Sequence, residues 1–166
     1  MSKEPPVEHP ASEDAKSPMK TWRILFLDSA RNIEQLKDTC KDVGYTVVGA
    51  LTIAEAWAFL DGKDHADVIV CAAHLEQESM FAFLKGVRQS EVHGKAKFLI
   101  LSLAPGAAGA RLHGSTARSA MVLGADEYAI MPVFDPRELL ALIKKLRPSV
   151  PMVQQSATEG EKRQAE

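Results

Sequence analysis

Side chains that could do chemistry stand at the ends of short apolar runs along this sequence. Asp28 and Ser29 follow the first run, His74 follows the third, Ser102 closes the fourth, and Met131 ends the fifth. Carboxylate and hydroxyl oxygens are ligands that a hard cation such as Mg²⁺ takes, and an imidazole can accept a phosphoryl group or bind a metal. What these residues can do together depends on whether the fold brings them close.

The apolar runs alternate with helical patterns, which is typical of βα units stacked into a parallel sheet. Because ligands in open α/β sheets bind outside the carboxyl ends of the strands, the candidate residues are predicted to share one edge. The predicted strands cover 23–27, 45–51, 67–72, 97–102 and 127–130, and the helical stripes run over 33–43, 53–60, 79–89, 116–123 and 136–146.

Two helix starts have clear sequence signals. Thr52 and Glu55 have the spacing of a capping box, and Asp135 with Pro136 supplies an N-cap followed by an N1 proline. The stretch 104–116 has no such signal, because it is rich in glycine and alanine and lacks periodicity. We expect a flexible insertion there rather than a phosphate-binding loop, and a fourth helix that starts late, near Thr116.

Composition restricts the classes of function. With 166 residues and a net charge of -2, the sequence predicts one globular domain at 21–147 and no footprint for nucleic acid. The polar segments 1–20 and 148–166 predict disordered arms. No apolar run is long enough for a membrane span or a signal peptide, and Cys40 and Cys71 lack disulfide or zinc spacing. We expect a cytoplasmic protein with no membrane contact.

Four stretches of the sequence resemble the receiver domain of two-component response regulators. The resemblance covers about Trp22 to Leu146, and its most specific part is the Gly-Ala-Asp-x-Tyr-x-x-x-Pro pattern at the fifth strand. It implies a flavodoxin-like (βα)5 doubly wound parallel sheet with strand order 2-1-3-4-5. The stretches are RILFLD at 23–28, DVIVCA at 67–72, FLILS at 98–102 and GADEYAIMP at 124–132.

The resemblance also implies a phosphoacceptor pocket, and this chain departs from it at three positions. Asp28 matches the first metal-binding acid, but Ser29 stands where the second acid is expected. Ala72 occupies the phosphoacceptor position, where a methyl group offers neither a nucleophile nor a metal ligand. Met131 replaces the lysine that pairs with phosphate, while Ser102 still matches the hydroxyl position. We predict a degenerate pseudo-receiver without a magnesium site or any cofactor.

No shift of the alignment by one residue restores the phosphoacceptor, because Cys71 and Ala73 flank Ala72. His74, with Glu76 nearby, is predicted to be a loop histidine, since no second ligand stands at metal spacing. Cys71 is expected to behave as a small hydrophobic residue. Asp28 is expected to cap the first helix rather than to bind a metal.

The expected function is recognition of a protein partner, or of a second copy, without catalysis. In the resembling family the surface built from helix four, strand five and helix five meets partners, and Tyr128 would lie on it. The simpler interpretation is that Tyr128 only packs against helix four. The alternative function is a flavodoxin-like ligand-binding or enzymatic domain whose likeness to receivers is confined to the fold.

Overall fold

A computed structural model describes residues 21–62, 65–75, 79–103 and 106–147, with the backbone alone described for 106–113. Within these ranges five strands alternate with five helices. The predicted arms at 1–20 and 148–166 lie outside the described residues and stay predictions. The strands are β1 (Arg23–Leu27), β2 (Thr46–Ala50), β3 (Val68–Ala72), β4 (Lys97–Leu103) and β5 (Glu127–Met131), and the helices are α1 (Ala30–Cys40), α2 (Ile53–Leu60), α3 (Met80–Gln89), α4 (Gly106–Val122) and α5 (Pro136–Leu146).

The five strands form one parallel sheet in the order β2-β1-β3-β4-β5. The predicted fold class and strand order are therefore confirmed. The order of strands reverses between β1 and β3, and such a switch point opens a crevice at the carboxyl ends of the strands. This topology decides which edge of the sheet can hold a functional site.

Apolar side chains cover both faces of the sheet. On β4, Phe98 and Ile100 join the core that packs α2, α3 and α4 on one face, and Leu99 and Leu101 join the core beneath α1 and α5 on the other. All four side chains are fully buried. This two-sided burial explains why the central strands are continuous apolar runs. No helix in the described ranges is long and apolar enough to cross a bilayer.

Helix starts follow the predicted capping signals. Thr52 Oγ1 accepts the Glu55 amide at 3.1 Å while the Glu55 carboxylate accepts the Leu51 amide. Asp135 Oδ1 accepts the amides of the first turn of α5, and Pro136 occupies the first position of that helix. These caps satisfy donors that have no partner inside a helix.

The predicted start of the fourth helix was wrong, although its existence and its end near Leu123 are confirmed. α4 begins at Gly106 and continues for 17 residues to Val122, so the expected flexible insertion is helical from 106 onward, and 104–105 lie outside the described residues. Alanine has the highest helix propensity and offsets part of the cost of the interspersed glycines. The segment between the parallel strands β4 and β5 must also return along the length of the sheet. A helix covers this distance with its backbone hydrogen bonds satisfied.

Arg88 at the end of α3 joins two loops that precede strands. Its guanidinium donates to the carbonyls of Gly124 at 2.8 Å, Gly94 at 2.9 Å and Ala96 at 2.6 Å, and it pairs with Asp126 Oδ2 at 2.9 Å. Gly124 has φ of +111°, and a Cβ there would lie 3.0 Å from the Arg88 side chain. The turn between α4 and β5 thus requires glycine for two reasons. Its φ is positive, and a larger side chain would collide with Arg88.

Candidate functional site

The sheet register brings the predicted pocket residues to one edge. Leu27 pairs with Cys71, so Asp28 follows β1 at the level of Ala72 on β3. On the next strands, Ser102 of β4 pairs with Ile130, and Leu103 pairs with Met131 of β5. Asp28, Ala72, Ser102 and Met131 therefore occupy the carboxyl ends of four adjacent strands, as the sequence predicts. Their roles there stay predictions.

Ser29, and not Asp28, is the N-cap of α1, which corrects the sequence-based expectation. Ser29 Oγ accepts the Asn32 amide at 3.3 Å. Asp28 stands one residue earlier, and its Oδ1 accepts the Ser29 amide at 2.6 Å and the Asn32 side-chain amide at 3.1 Å. The Ser29 hydroxyl, at the position where the resemblance implies a second acid, thus has a structural role at the start of the helix.

Asp28 Oδ2 is buried and has no hydrogen-bond partner among the described residues. Desolvation raises the pKa of the Asp28 carboxyl, although the hydrogen bonds from Ser29 and Asn32 act in the opposite direction. One carboxylate oxygen of Asp28 therefore accepts two hydrogen bonds, and the other is buried without a donor among the described residues.

The raised pKa predicts that stability depends on pH through Asp28. A native chain that holds this proton more tightly than the unfolded chain loses stability as pH rises from about 4 through the raised pKa. Asp28→Asn keeps an oxygen acceptor and removes the titration. Relative to the native chain, this variant is expected to gain unfolding free energy in urea titrations as pH rises from about 4 through the raised pKa of Asp28. A difference that stays constant over this range contradicts the desolvation of Asp28.

Ser102 and Ala72 form the middle of the edge. Ser102 is fully buried, and its Oγ has no hydrogen-bond partner in the part of the chain that the structure describes. Ala72 is half-buried at the end of β3, which lies between the strand that precedes Asp28 and the strand that contains Ser102. Asp28 Oδ2 and Ser102 Oγ are therefore two buried oxygens at the carboxyl ends of the strands that no described group satisfies.

Met131 is part of the hydrophobic core. It is only 1% exposed and packs in the cluster that includes Leu139 of α5. Its Sδ accepts the Asp135 amide at 3.2 Å, which ties the end of β5 to the N-cap of α5. Next to it, the rings of Phe134 and Phe26 stack with centroids 5.9 Å apart. A packed thioether therefore fills the position at which the resemblance implies a lysine.

The remaining predicted residues lie around this edge. His74 is exposed after β3, and Glu76 falls outside the described residues. Cys71 is fully buried, as expected for a cysteine that serves as a small hydrophobic residue. Among the residues that the structure describes, no group of three histidine, cysteine, aspartate or glutamate side chains could hold a metal ion.

Tyr128 pairs with Ile100 and packs, half-buried, against the core that contains Ala120 of α4. This contact agrees with the simpler interpretation of Tyr128 without deciding whether a partner also touches it. Sequence reasoning missed Asn32, whose side chain holds Asp28. The signal for Asn32 was its spacing of four residues from Asp28, which lets a side chain in the first turn of α1 reach back to the residue before the N-cap.

Comparison with solved structures identifies the fold. The chemotaxis response regulator CheY4 of Vibrio cholerae superimposes with a TM-score of 0.64 at 23% identity, over 77% of this chain and 100% of that one. A putative response regulator from Chloroflexus aurantiacus gives 0.62 at 24% identity, over 76% and 97%. A receiver protein from Pseudomonas putida gives 0.63 at 23% identity, over 78% and 99%. No family model and no curated protein sequence matches. The chain thus has the fold of response-regulator receiver domains.

Proposed function

We propose that this chain is a receiver-like signalling module that acts through protein contacts and does not use aspartyl phosphorylation. The observation that carries the proposal is Ala72 at the carboxyl end of β3, at the level of Asp28 on the neighbouring strand. A phosphoacceptor needs a nucleophilic oxygen at this point, and a methyl group has none.

Two further residues support the loss of phosphoryl chemistry. Ser29 is occupied as the N-cap of α1, which leaves Asp28 as the single carboxylate at the first strand, and Mg²⁺ is poorly held by one carboxylate. Met131 is buried and uncharged, so a phosphoryl group at this edge would lack a countercharge from β5. Three independent parts of a phosphoryl-transfer site are therefore missing together.

The surface proposed for protein contact is the α4–β5–α5 face, which comprises the exposed residues of α4, of β5 and of α5. β5 is an edge strand, and α4 and α5 pack on opposite faces of the sheet beside it. Met121 is 48% exposed, Val122 85% and Ile130 49%, so large apolar side chains lie open on this side of the domain. Such side chains supply the buried centre of protein interfaces.

The test is intact-mass spectrometry after incubation of the purified chain with a small-molecule phosphodonor and Mg²⁺. The native chain is expected to gain no phosphoryl group. An Ala72→Asp, Met131→Lys variant run in parallel supplies the missing carboxylate and ammonium, and phosphorylation of this variant alone would identify those two positions as the block. A phosphoryl adduct on the native chain overturns the proposal and requires the acceptor to be mapped.

A further inference from the structure

An open cavity of about 250 Å³ lies at the amino ends of β3 and β4, at the opposite end of the sheet from Asp28 and Ala72. Val68 and Lys97 begin these strands and pair with each other, so the segments before them meet at this point. At about 30 Å³ per water molecule the volume equals roughly eight waters, which suits a small molecule. Among the described residues the lining comprises two alanines together with His65, Asp67, Val92, His93 and Lys95.

His93 is the buried polar residue of this cavity. It is 8% exposed, and its Nε2 lies 2.8 Å from the Leu60 carbonyl. Because a carbonyl only accepts, this contact places a proton on Nε2, and Nδ1 of the neutral ring is then an acceptor. Nδ1 has no hydrogen-bond partner in the described part of the chain. Such an acceptor in a cavity wall can take a donor from a ligand.

The loop that carries His93 is held in place by the protein itself. Ser90 Oγ accepts the His93 amide at 3.1 Å, and the His93 carbonyl accepts the Ala96 amide at 3.1 Å. Arg88 donates to the carbonyls of Gly94 and Ala96 on the same loop. A wall that is fixed in this way does not have to be ordered on binding, which favours the affinity of a small ligand.

The lining of the cavity contains charges of both signs. Lys95 is exposed and has no carboxylate within 4.0 Å among the described residues. The Asp67 side chain is 12% exposed, and its Oδ1 lies 3.7 Å from His65 Nε2. Val92 is 78% exposed and adds an apolar surface. A simple anion would meet the Asp67 carboxylate and a simple cation would meet the Lys95 ammonium, whereas a molecule that carries both charges can satisfy both groups.

We propose that this cavity binds a small α-amino acid in its zwitterionic form. The carboxylate of the ligand pairs with Lys95, and its ammonium donates to His93 Nδ1 and is attracted by the charge of Asp67. A short apolar side chain of the ligand packs on Val92. The site is separate from the carboxyl ends of the strands and from the α4–β5–α5 face, so the inference goes beyond the proposed function and does not depend on it.

The test is a titration of the full chain with L-valine, followed by NMR spectra of the histidine ring nitrogens and of the backbone amides. L-Valine is expected to shift His93 Nδ1 and the amides of Val92 and Lys95. Two molecules of similar shape are the controls, because isovalerate lacks the ammonium group and isobutylamine lacks the carboxylate. Each control should bind at least about tenfold more weakly than L-valine, since it leaves one charge of the cavity unpaired.

Two substitutions assign the contacts of the ligand. Lys95→Gln removes the partner of the carboxylate and should weaken L-valine about tenfold. Lys85→Gln makes the same change at an exposed position of α3 outside the cavity lining, and it should leave the affinity unchanged. His93→Gln keeps an amide donor for the Leu60 carbonyl and removes the ring Nδ1, so it should also weaken L-valine about tenfold. Circular dichroism checks that each variant is folded.

Several results would overturn the inference. An Nδ1 that carries the proton in the free protein removes the proposed acceptor, and L-valine that leaves the His93 ring unshifted does not bind there. Isovalerate or isobutylamine that binds as tightly as L-valine shows a site for a single charge. An equal loss of affinity in Lys85→Gln and Lys95→Gln removes the specific role of Lys95. If His93→Gln does not fold, the ring shifts of the native chain with the three ligands decide the question. None of these results bears on phosphorylation at Ala72.

Discussion

Replacing Arg88 by alanine is expected to lower the free energy of unfolding by roughly 3–5 kcal/mol. The guanidinium side chain is only 21% exposed and satisfies three backbone carbonyls and the Asp126 carboxylate. Its removal leaves these acceptors without a donor in a partly buried space, and it releases both the loop before β4 and the turn before β5. The loss should be visible in urea unfolding followed by circular dichroism.

Two variants test this account of Arg88. Arg118→Ala removes an exposed arginine that has no ion pair in the described ranges, and it should change stability by less than about 0.5 kcal/mol. Arg88→Lys keeps the charge, but one ammonium cannot reach all the acceptors that a planar guanidinium reaches. It should therefore recover less than half of the loss. Equal stability of Arg88→Ala and the native chain contradicts the role of this side chain.

Replacing Met131 by lysine is expected to cost roughly 2–4 kcal/mol in unfolding free energy. The residue is 1% exposed among apolar side chains, so the substitution brings a charged amine to a site that is shielded from solvent. The substitution also removes the sulfur that accepts the Asp135 amide. Met131→Leu, which keeps the volume and loses only the sulfur contact, is the matched control and should cost less than about 1.5 kcal/mol.

The same lysine should cost less when Ala72 is aspartate. The new carboxylate would stand two strands away at the same edge, within reach of a long side chain. The unfolding free energies of the native chain, the two single variants and the double variant form a thermodynamic cycle. We expect a favourable coupling of about 1 kcal/mol or more. Additive effects of the two substitutions would mean that positions 72 and 131 do not face a common space.

The elements of the fold could be predicted because their signals are local, whereas the order of the strands was implied by the family resemblance. Val68 to Cys71 and Phe98 to Leu101 are buried on both faces of the sheet, and this burial produces the continuous apolar runs that mark central parallel strands. Turn and cap residues such as Thr52 and Asp135 act on amides two or three residues away. Such patterns can be interpreted without knowing the tertiary structure.

The exact starts of α1 and α4 could not be predicted, because neighbouring residues are almost equally suited to begin each helix. Asp28 and Ser29 are both good capping residues, and the point at which β1 ends decides that Ser29 caps α1. In α4, alanine favours the helix and glycine opposes it, so the start at Gly106 depends on packing and on the span of the crossover.

Long-range contacts to the backbone left no sequence signal. Arg88 binds carbonyls that lie between 6 and 36 residues away, and any residue type can supply a carbonyl. The residues at the carboxyl ends of the strands could be predicted in part. The positions of Ala72 and Met131 could be predicted from the strand pattern, but the sulfur contact of Met131 with the start of α5 could not.

The contact between Met131 and Asp135 bears on how this chain could change by mutation. A lysine at 131 alone is expected to loosen the start of α5, and an aspartate at 72 alone places a second carboxylate near Asp28 without a countercharge. Each single step towards a phosphoryl pocket therefore passes through a less stable protein. A route back to such a pocket therefore needs both substitutions together, because each is expected to cost stability when it occurs alone.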